Sequence, residues 1–455
     1  MGAMPTTRSL VLLAFVGACT SNPPAGETEG SSGSVDSSGT AGSATSPTST
    51  MGVDSSTGGP GTLTTTGSET SVATDPASSS GGSACATSQE CGDPANPICS
   101  GGACGPCQDD QQCTDRDPVA PACRDDGACV QCTADNDSQC EGSTPWCDEV
   151  ASACAACSFH EQCPDSACRI ATGGCFDEAE VYRVGPGQDF VDLATAVEAL
   201  GDGEHVLRLA ADVAGNYSTT ITGAGAVYAI VADDPTTPPY LGFGGATTLR
   251  AEAGAEVYVQ DALFAVIIGS QPMVVADDAS IYFDRVRVLS FAHGGVSLQN
   301  GAYALVRTST LTQLDSPYPA LAVSDSNVDV LYSTFAAYTN AGTAALSCTG
   351  PATATIRNSI VLSEGAGPDV SCDGATVTYS ATNALQRGTG NVMLGMFDDA
   401  WFASYNNGDL ALTSAAPDEL LTTAQWKYGD PVTDLSGDLR PTVDGTADVA
   451  GADIP

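Results

Sequence analysis

Four charged residues stand where a short repeat could bring them together: Asp284, Arg285 and Arg287 fall close in sequence, and Asp261 occurs about one repeat earlier. A polysaccharide lyase needs calcium held by several carboxylates and an arginine or lysine to take the α-proton. These four are the nearest arrangement the chain offers, with Asp261 and Asp284 in about the same column flanking an arginine, and calcium is a cofactor only on that reading. Glycoside hydrolysis instead needs two carboxyls across one bond. Asp277-Asp278 and the stretch Ala292-His293-Gly294-Gly295 supply acids and a histidine, but His293 follows Asp278 by 15 residues, less than one repeat. They read as turn residues. Asp261, Asp284 and the arginines read as an ion-pair ladder exposed on an outer face, so no catalytic residue is assigned. The single lysine, Lys427, is distant, and His160 and His205 have no partner pattern and read as surface residues.

Cysteine is the other reactive side chain. Sixteen of the 19 cysteines fall into four like units: Cys85, Cys91, Cys99, Cys104; Cys107, Cys113, Cys123, Cys129; Cys132, Cys140, Cys147, Cys154; Cys157, Cys163, Cys168, Cys175. The C-x-x-C junctions between units come close to a zinc ribbon. Export, an even count and abundant acids favour disulfides. Two bridges per unit would replace a missing apolar core, and four cysteines allow three pairings.

Cys19 has a different setting. Arg8, the apolar run Leu10–Val16 and Gly17-Ala18-Cys19 make an export signal too short to span a bilayer. The ending Val16-Gly17-Ala18-Cys19 resembles a bacterial lipobox. That resemblance implies that Cys19 is lipidated and ties the chain to a membrane, and Thr20 in place of Asp implies outer-membrane sorting. Residues 19–84 then form a disordered, low-complexity Ser/Thr/Gly-rich stalk.

These groups need a scaffold, and the stretch Val257–Leu385 supplies one by repeating a short strand six times. With Ala262, Val286, Ser309, Ser333, Ser359 and Ser380 as equivalent positions, the repeat advances by 24, 23, 24, 26 and 21 residues. Three residues before each stand Val259, Phe283, Val306, Val330, Ile356 and Val377; five before stand Val257, Ile281, Ala304, Val328, Ala354 and Ala375. The column between them is mixed: Tyr258, Tyr282, Leu305, Asp329, Thr355, Thr376. Period two marks a strand with one face inward, and repetition without intervening helices stacks it on itself as a parallel β-helix. Cys348 and Cys372 are one coil apart, where stacked Cα atoms about 4.8 Å apart permit a disulfide. Leu193, Ala196, Val197 and Leu200 suit a short helix that caps the open end.

Val181-x-x-Val184-Gly185-Pro186-Gly187, Gly215-Asn216-Tyr217, Arg357-Asn358-Ser359-Ile360 and Tyr379-Ser380 with Gly390-Asn391 resemble the pectin-lyase-like right-handed β-helix superfamily. So does the tail, Asp434-x-x-Gly437-x-x-Arg440-Pro441 with Asp448 through Asp453, in which Ala450 is inserted. The resemblance implies an all-β, right-handed parallel β-helix; it implies no activity, because many chemistries and many non-enzymes share this scaffold. No N-T-D or R-I-K signature of polygalacturonase-like members is present. The cysteine units resemble repeats ahead of the main domain in exported myxobacterial proteins.

The expected organisation is a signal peptide at 1–18, a stalk at 19–84, four cysteine-rich repeats at 85–176 and the β-helix at 177–455. With 55 acids against 14 bases, the net charge of −41 excludes nucleic acid as a partner. The reading is a cell-surface lipoprotein whose head is non-catalytic, needs no cofactor and binds an extracellular polysaccharide or surface protein. The alternatives are a lyase or hydrolase, or a structural envelope protein.

Overall fold

The repeat columns become stacks. In the computed structural model, Val257, Ile281, Ala304, Val328, Ala354 and Ala375 pair in unbroken parallel register, as do Val259, Phe283, Val306, Val330, Ile356 and Val377. The structure describes residues 84–455 except 214–217, 243–245, 267–268, 292, 315, 339–341, 365–366, 385–387 and 396. The signal sequence, Cys19, the stalk up to residue 83, Gly215-Asn216-Tyr217, Ala292 and Leu385 lie outside the described residues.

The solenoid has about eight turns. Its first sheet holds nine strands, from Val181–Val184 to Ala375–Thr378; the second holds eight and the third seven. It therefore begins three strands before the six legible copies, where His205 and Tyr228 stand in the inward column and disguise the pattern. Each of the six repeat copies passes from first to second sheet through one left-handed residue: Asp261, Arg285, Thr308, Tyr332, Asn358 and Tyr379 all have φ of 48–56°. The next position is fully enclosed. From Ser309 onward it is serine, and each hydroxyl accepts from the backbone amide of the equivalent residue one turn earlier: Val286 donates to Ser309, Ser309 to Ser333, Ser333 to Ser359 and Ser359 to Ser380, at 3.0–3.2 Å. Those bonds satisfy backbone donors that the sheet ladders do not reach.

The N-terminal end is closed by the helix Leu193–Leu200. Asp192 caps it by accepting from the Thr195 amide, and Leu193 and Ala196 are buried against the first turns.

In the cysteine-rich array every unit pairs its first cysteine with its third and its second with its fourth: Cys85–Cys99 and Cys91–Cys104, Cys107–Cys123 and Cys113–Cys129, Cys132–Cys147 and Cys140–Cys154, Cys157–Cys168 and Cys163–Cys175. Each unit is one small antiparallel hairpin crossed by two bridges. Three sulfurs in each unit gather within 4.8 Å, as metal ligands would, but bonded sulfurs are not thiolates. Cys348 and Cys372 are bonded between adjacent turns, with Cα atoms 4.7 Å apart.

Array and solenoid belong to one compact unit. The fourth cysteine unit lies on the outside of the first sheet, where Ala167 and Phe176 pack on Val206, Val227, Ala229, Val231, Tyr258 and Tyr282. The C-terminal tail folds back over the second sheet, setting Trp401, Phe402, Tyr405, Leu410 and Trp426 against Ala336, Ile360 and Leu362. Gly451 allows a close approach: a Cβ there would meet Ile360 and Thr334 at 2.7 Å. Among the described residues, the apolar clusters that seat module and tail draw nothing from the third sheet. The molecule thus has a module-covered, a tail-covered and an open sheet.

Candidate functional site

Three of the four charged candidates meet beneath the fourth cysteine unit. Asp284 is outward on the module-covered sheet, in register with Gln260 on one side and Arg307 on the other. It accepts from Arg307 at 2.8 Å, with side chains 2% and 5% exposed. Burial alone would raise the Asp284 carboxyl, but Arg307 and Arg285 outweigh it and hold it below its ordinary value. Asp261 stands one position further on, at the corner. It accepts two bonds from Arg285, at 2.8 and 2.9 Å, and Arg285 also reaches Glu161 of the cysteine unit. Burial pushes the Asp261 carboxyl up, and Arg285 offsets this only in part.

This overturns two expectations. Asp261 and Asp284 do not share a column: Asp261 stacks on Arg285, and Asp284 stacks on Gln260. Nor is the ladder exposed, because the module lies over it. Phe159 places its ring 4.7 Å from the Arg307 guanidinium, and Gln260 donates to Glu161 at 2.9 Å. The signal was present in the mixed outward column. Its members Tyr258, Tyr282 and Leu305 are apolar where the module lies, and Asp329, Thr355 and Thr376 are polar beyond it.

Arg287 goes elsewhere. It is exposed on the tail-covered sheet, in a groove of about 180 Å³ lined with Leu263, Leu289, Thr310, Asn407, Asp409 and Asp453. Asp278 and His293 also part. Asp277 ends a strand of the open sheet, and Asp278 turns the chain with φ 49°. His293 precedes the next strand, Val296–Gln299, in which Gln299 is the partner of Asp277. The two therefore stand beyond opposite edges of the sheet.

Both histidines assigned to the surface are buried. His160 packs edge-on to Tyr258, its Nδ1 accepts from the Cys168 amide at 3.0 Å, and burial lowers its pKa to about 3. It is a neutral wedge that holds the unit's hairpin against the solenoid. His205 sits between Tyr182 and Tyr228 and bonds Glu180 at 3.0 Å. Each histidine is buried by a segment distant in sequence, which no local pattern reports. Lys427 lies over the Tyr379 ring at 5.8 Å.

The tail motif packs against the solenoid. Arg440 lies 4.1 Å from the centre of the Tyr332 ring and donates to Asp448 and to the Val449 and Gly451 carbonyls.

The open sheet carries the accessible polar ladder: Thr222, Glu252, Asp277, Gln299, Ser324 and Thr349, one per turn. Arg250 ties Glu252 to Asp277 at 2.6 and 3.1 Å, and Asn300 donates to Asp277 at 2.7 Å. At the sheet's entry edge the rings of His293 and Tyr318, from successive loops, face each other at 4.4 Å, with Tyr318 40% exposed. The arrangement can hydrogen-bond and stack, and its charged groups, Arg250, Glu252 and Asp277, are spent on one another in ion pairs.

A family model described as "Family of unknown function (DUF8331)" matches residues 70–181, which takes in the four cysteine units and ends at the first solenoid strand. No curated protein and no solved structure matches the chain.

Proposed function

We propose that the protein is an exported, lipid-anchored surface protein whose β-solenoid is a non-catalytic head that binds an extended glycan along the open sheet. The observation that carries this reading is the division of the faces. Asp261, Asp284 and Arg285, which a lyase or hydrolase would need, are consumed in ion pairs under the cysteine module, while the open sheet repeats a polar side chain at every turn. A ladder spaced at about 4.8 Å suits a polymer with its own repeat. The His293–Tyr318 pair adds an apolar ring face beside it. With a net charge of −41, a neutral polysaccharide is favoured over a polyanionic one.

The test is retention of the full exported chain on a panel of immobilised polysaccharides, with release of reducing or unsaturated sugars followed with and without calcium. Binding should fall at least tenfold in Gln299→Ala and Tyr318→Ala and remain unchanged in Arg287→Ala. Sugar release that disappears in Arg287→Ala would overturn the non-catalytic reading. The full chain is required because the head alone would expose Tyr258 and Tyr282.

A further inference from the structure

Asp434 and Asp453 bring two carboxyls together inside the tail, where neither ion pair nor solvent accounts for them. Asp434 is fully buried and accepts three backbone amides: Ser436 and Asp438 on Oδ1 at 2.9 and 2.8 Å, and Ile454 on Oδ2 at 2.8 Å. The Ile454 amide belongs to the residue after Asp453, so that bond draws the two side chains to one place. Ser436 bridges them, since its amide serves Asp434 and its hydroxyl donates to Asp453 Oδ2 at 3.1 Å. Asp453 is 4% exposed, and its other oxygen, Oδ1, has no hydrogen-bond partner. A buried oxygen left beside a second carboxylate needs a positive particle between them. Calcium would ask for six to eight oxygens, and Asp434 has already given both of its own to amides. A single proton meets the requirement.

We propose that Asp434 and Asp453 form a proton-operated clasp: one proton shared by the two carboxyls holds the end of the tail on the tail-covered sheet, and its loss loosens that end. The clasp sits where its effect would be transmitted. Leu435 donates to the Ala452 carbonyl, Ala452 to the Thr334 hydroxyl and Gly451 to the Asn358 carbonyl, so the clasped segment is sewn directly to two solenoid turns. The charged groups facing Asp453 are few. Arg287 of the solenoid favours its ionised form but is exposed and screened; Asp409, across the groove, opposes it; Arg440 is committed to Asp448. Burial and the adjacent Asp434 prevail and push the Asp453 carboxyl up to about 7 from an ordinary 3.8. The seated tail then binds one more proton than the open tail between those two values. Its hold is strongest below 3.8 and is lost as pH rises through about 7.

Hydrogen exchange on the full chain with its disulfides intact tests this. After correction for intrinsic rates, protection of the Leu435, Ala452 and Ile454 amides should fall by up to tenfold per pH unit between about pH 4.5 and 7, then level off. In Asp453→Asn the same amides should show no slope, while those of Val259 and Phe283 behave alike in both proteins. An equal slope in wild type and Asp453→Asn overturns the clasp. Should the variant fail to fold, the wild-type infrared spectrum decides: a protonated-carboxyl band near pH 6 that is gone by about pH 8.5 supports the clasp, and its absence refutes it.

Discussion

The Asp284 carboxylate and the Arg307 guanidinium meet under the Phe159 ring, where removing one partner strands the other's charge. Breaking such a buried pair costs about 3–5 kcal/mol, whereas replacing both partners by apolar residues of similar size is often neutral. Arg307→Ala should therefore lower stability by about 3 kcal/mol in denaturant unfolding, and Asp284→Leu with Arg307→Met should recover most of it. A residue with a catalytic duty would show no such recovery of function. His160 makes a second residue-scale prediction. A histidine held at about 3 folds with fewer protons than it binds when unfolded, so its contact weakens as pH falls from 6.5 through about 3. Proteolysis within the fourth unit should accelerate over that window, and His160→Gln should remove the acceleration. Neither role was legible in the sequence, because both depend on a segment some hundred residues away settling on the charge. What could be read was the type of residue at each position, not what would lie across it.

At the scale of elements the solenoid was legible because its information is local and repeated. Two apolar columns at period two set the register of six strands, and the pairing follows them without a slip. The serine column was equally visible as a column, but its purpose required the turn: a left-handed corner leaves the next amide unpaired, and the hydroxyl one coil on accepts it. Ser333→Ala should leave the Ser309 amide buried without an acceptor and cost about 1–3 kcal/mol, with loss of protection at Ser309 first. The disulfide pattern was not legible. Spacing alone allows three pairings per unit, and only the hairpin, which sets Cys99 opposite Cys104 and Cys147 opposite Cys154, forces each strand to bond outward. The helix Leu193–Leu200 was readable for the opposite reason, since its apolar spacing and the Asp192 cap are contiguous.

For the whole molecule, two of the three walls of the solenoid are occupied by its own chain. The two coverings have opposite sensitivities: falling pH acts against the module through His160, and pH rising toward neutrality acts against the tail through Asp453. The cysteine unit also does something that a spacer would not. Arg169 bonds Glu204 and Glu256, Glu161 bonds Arg285, and Phe159 lies on Arg307, so one small cross-linked unit is fastened to strands from the second to the sixth of a nine-strand sheet. Asp148 of the preceding unit then bonds Tyr428 in the tail at 2.6 Å. A bare solenoid pulled from its first coil would unzip, each turn failing in sequence at the cost of a few hydrogen bonds. With this splint across it, a pull arriving through the cysteine array is shared among several turns in shear, and the stack must yield together or not at all.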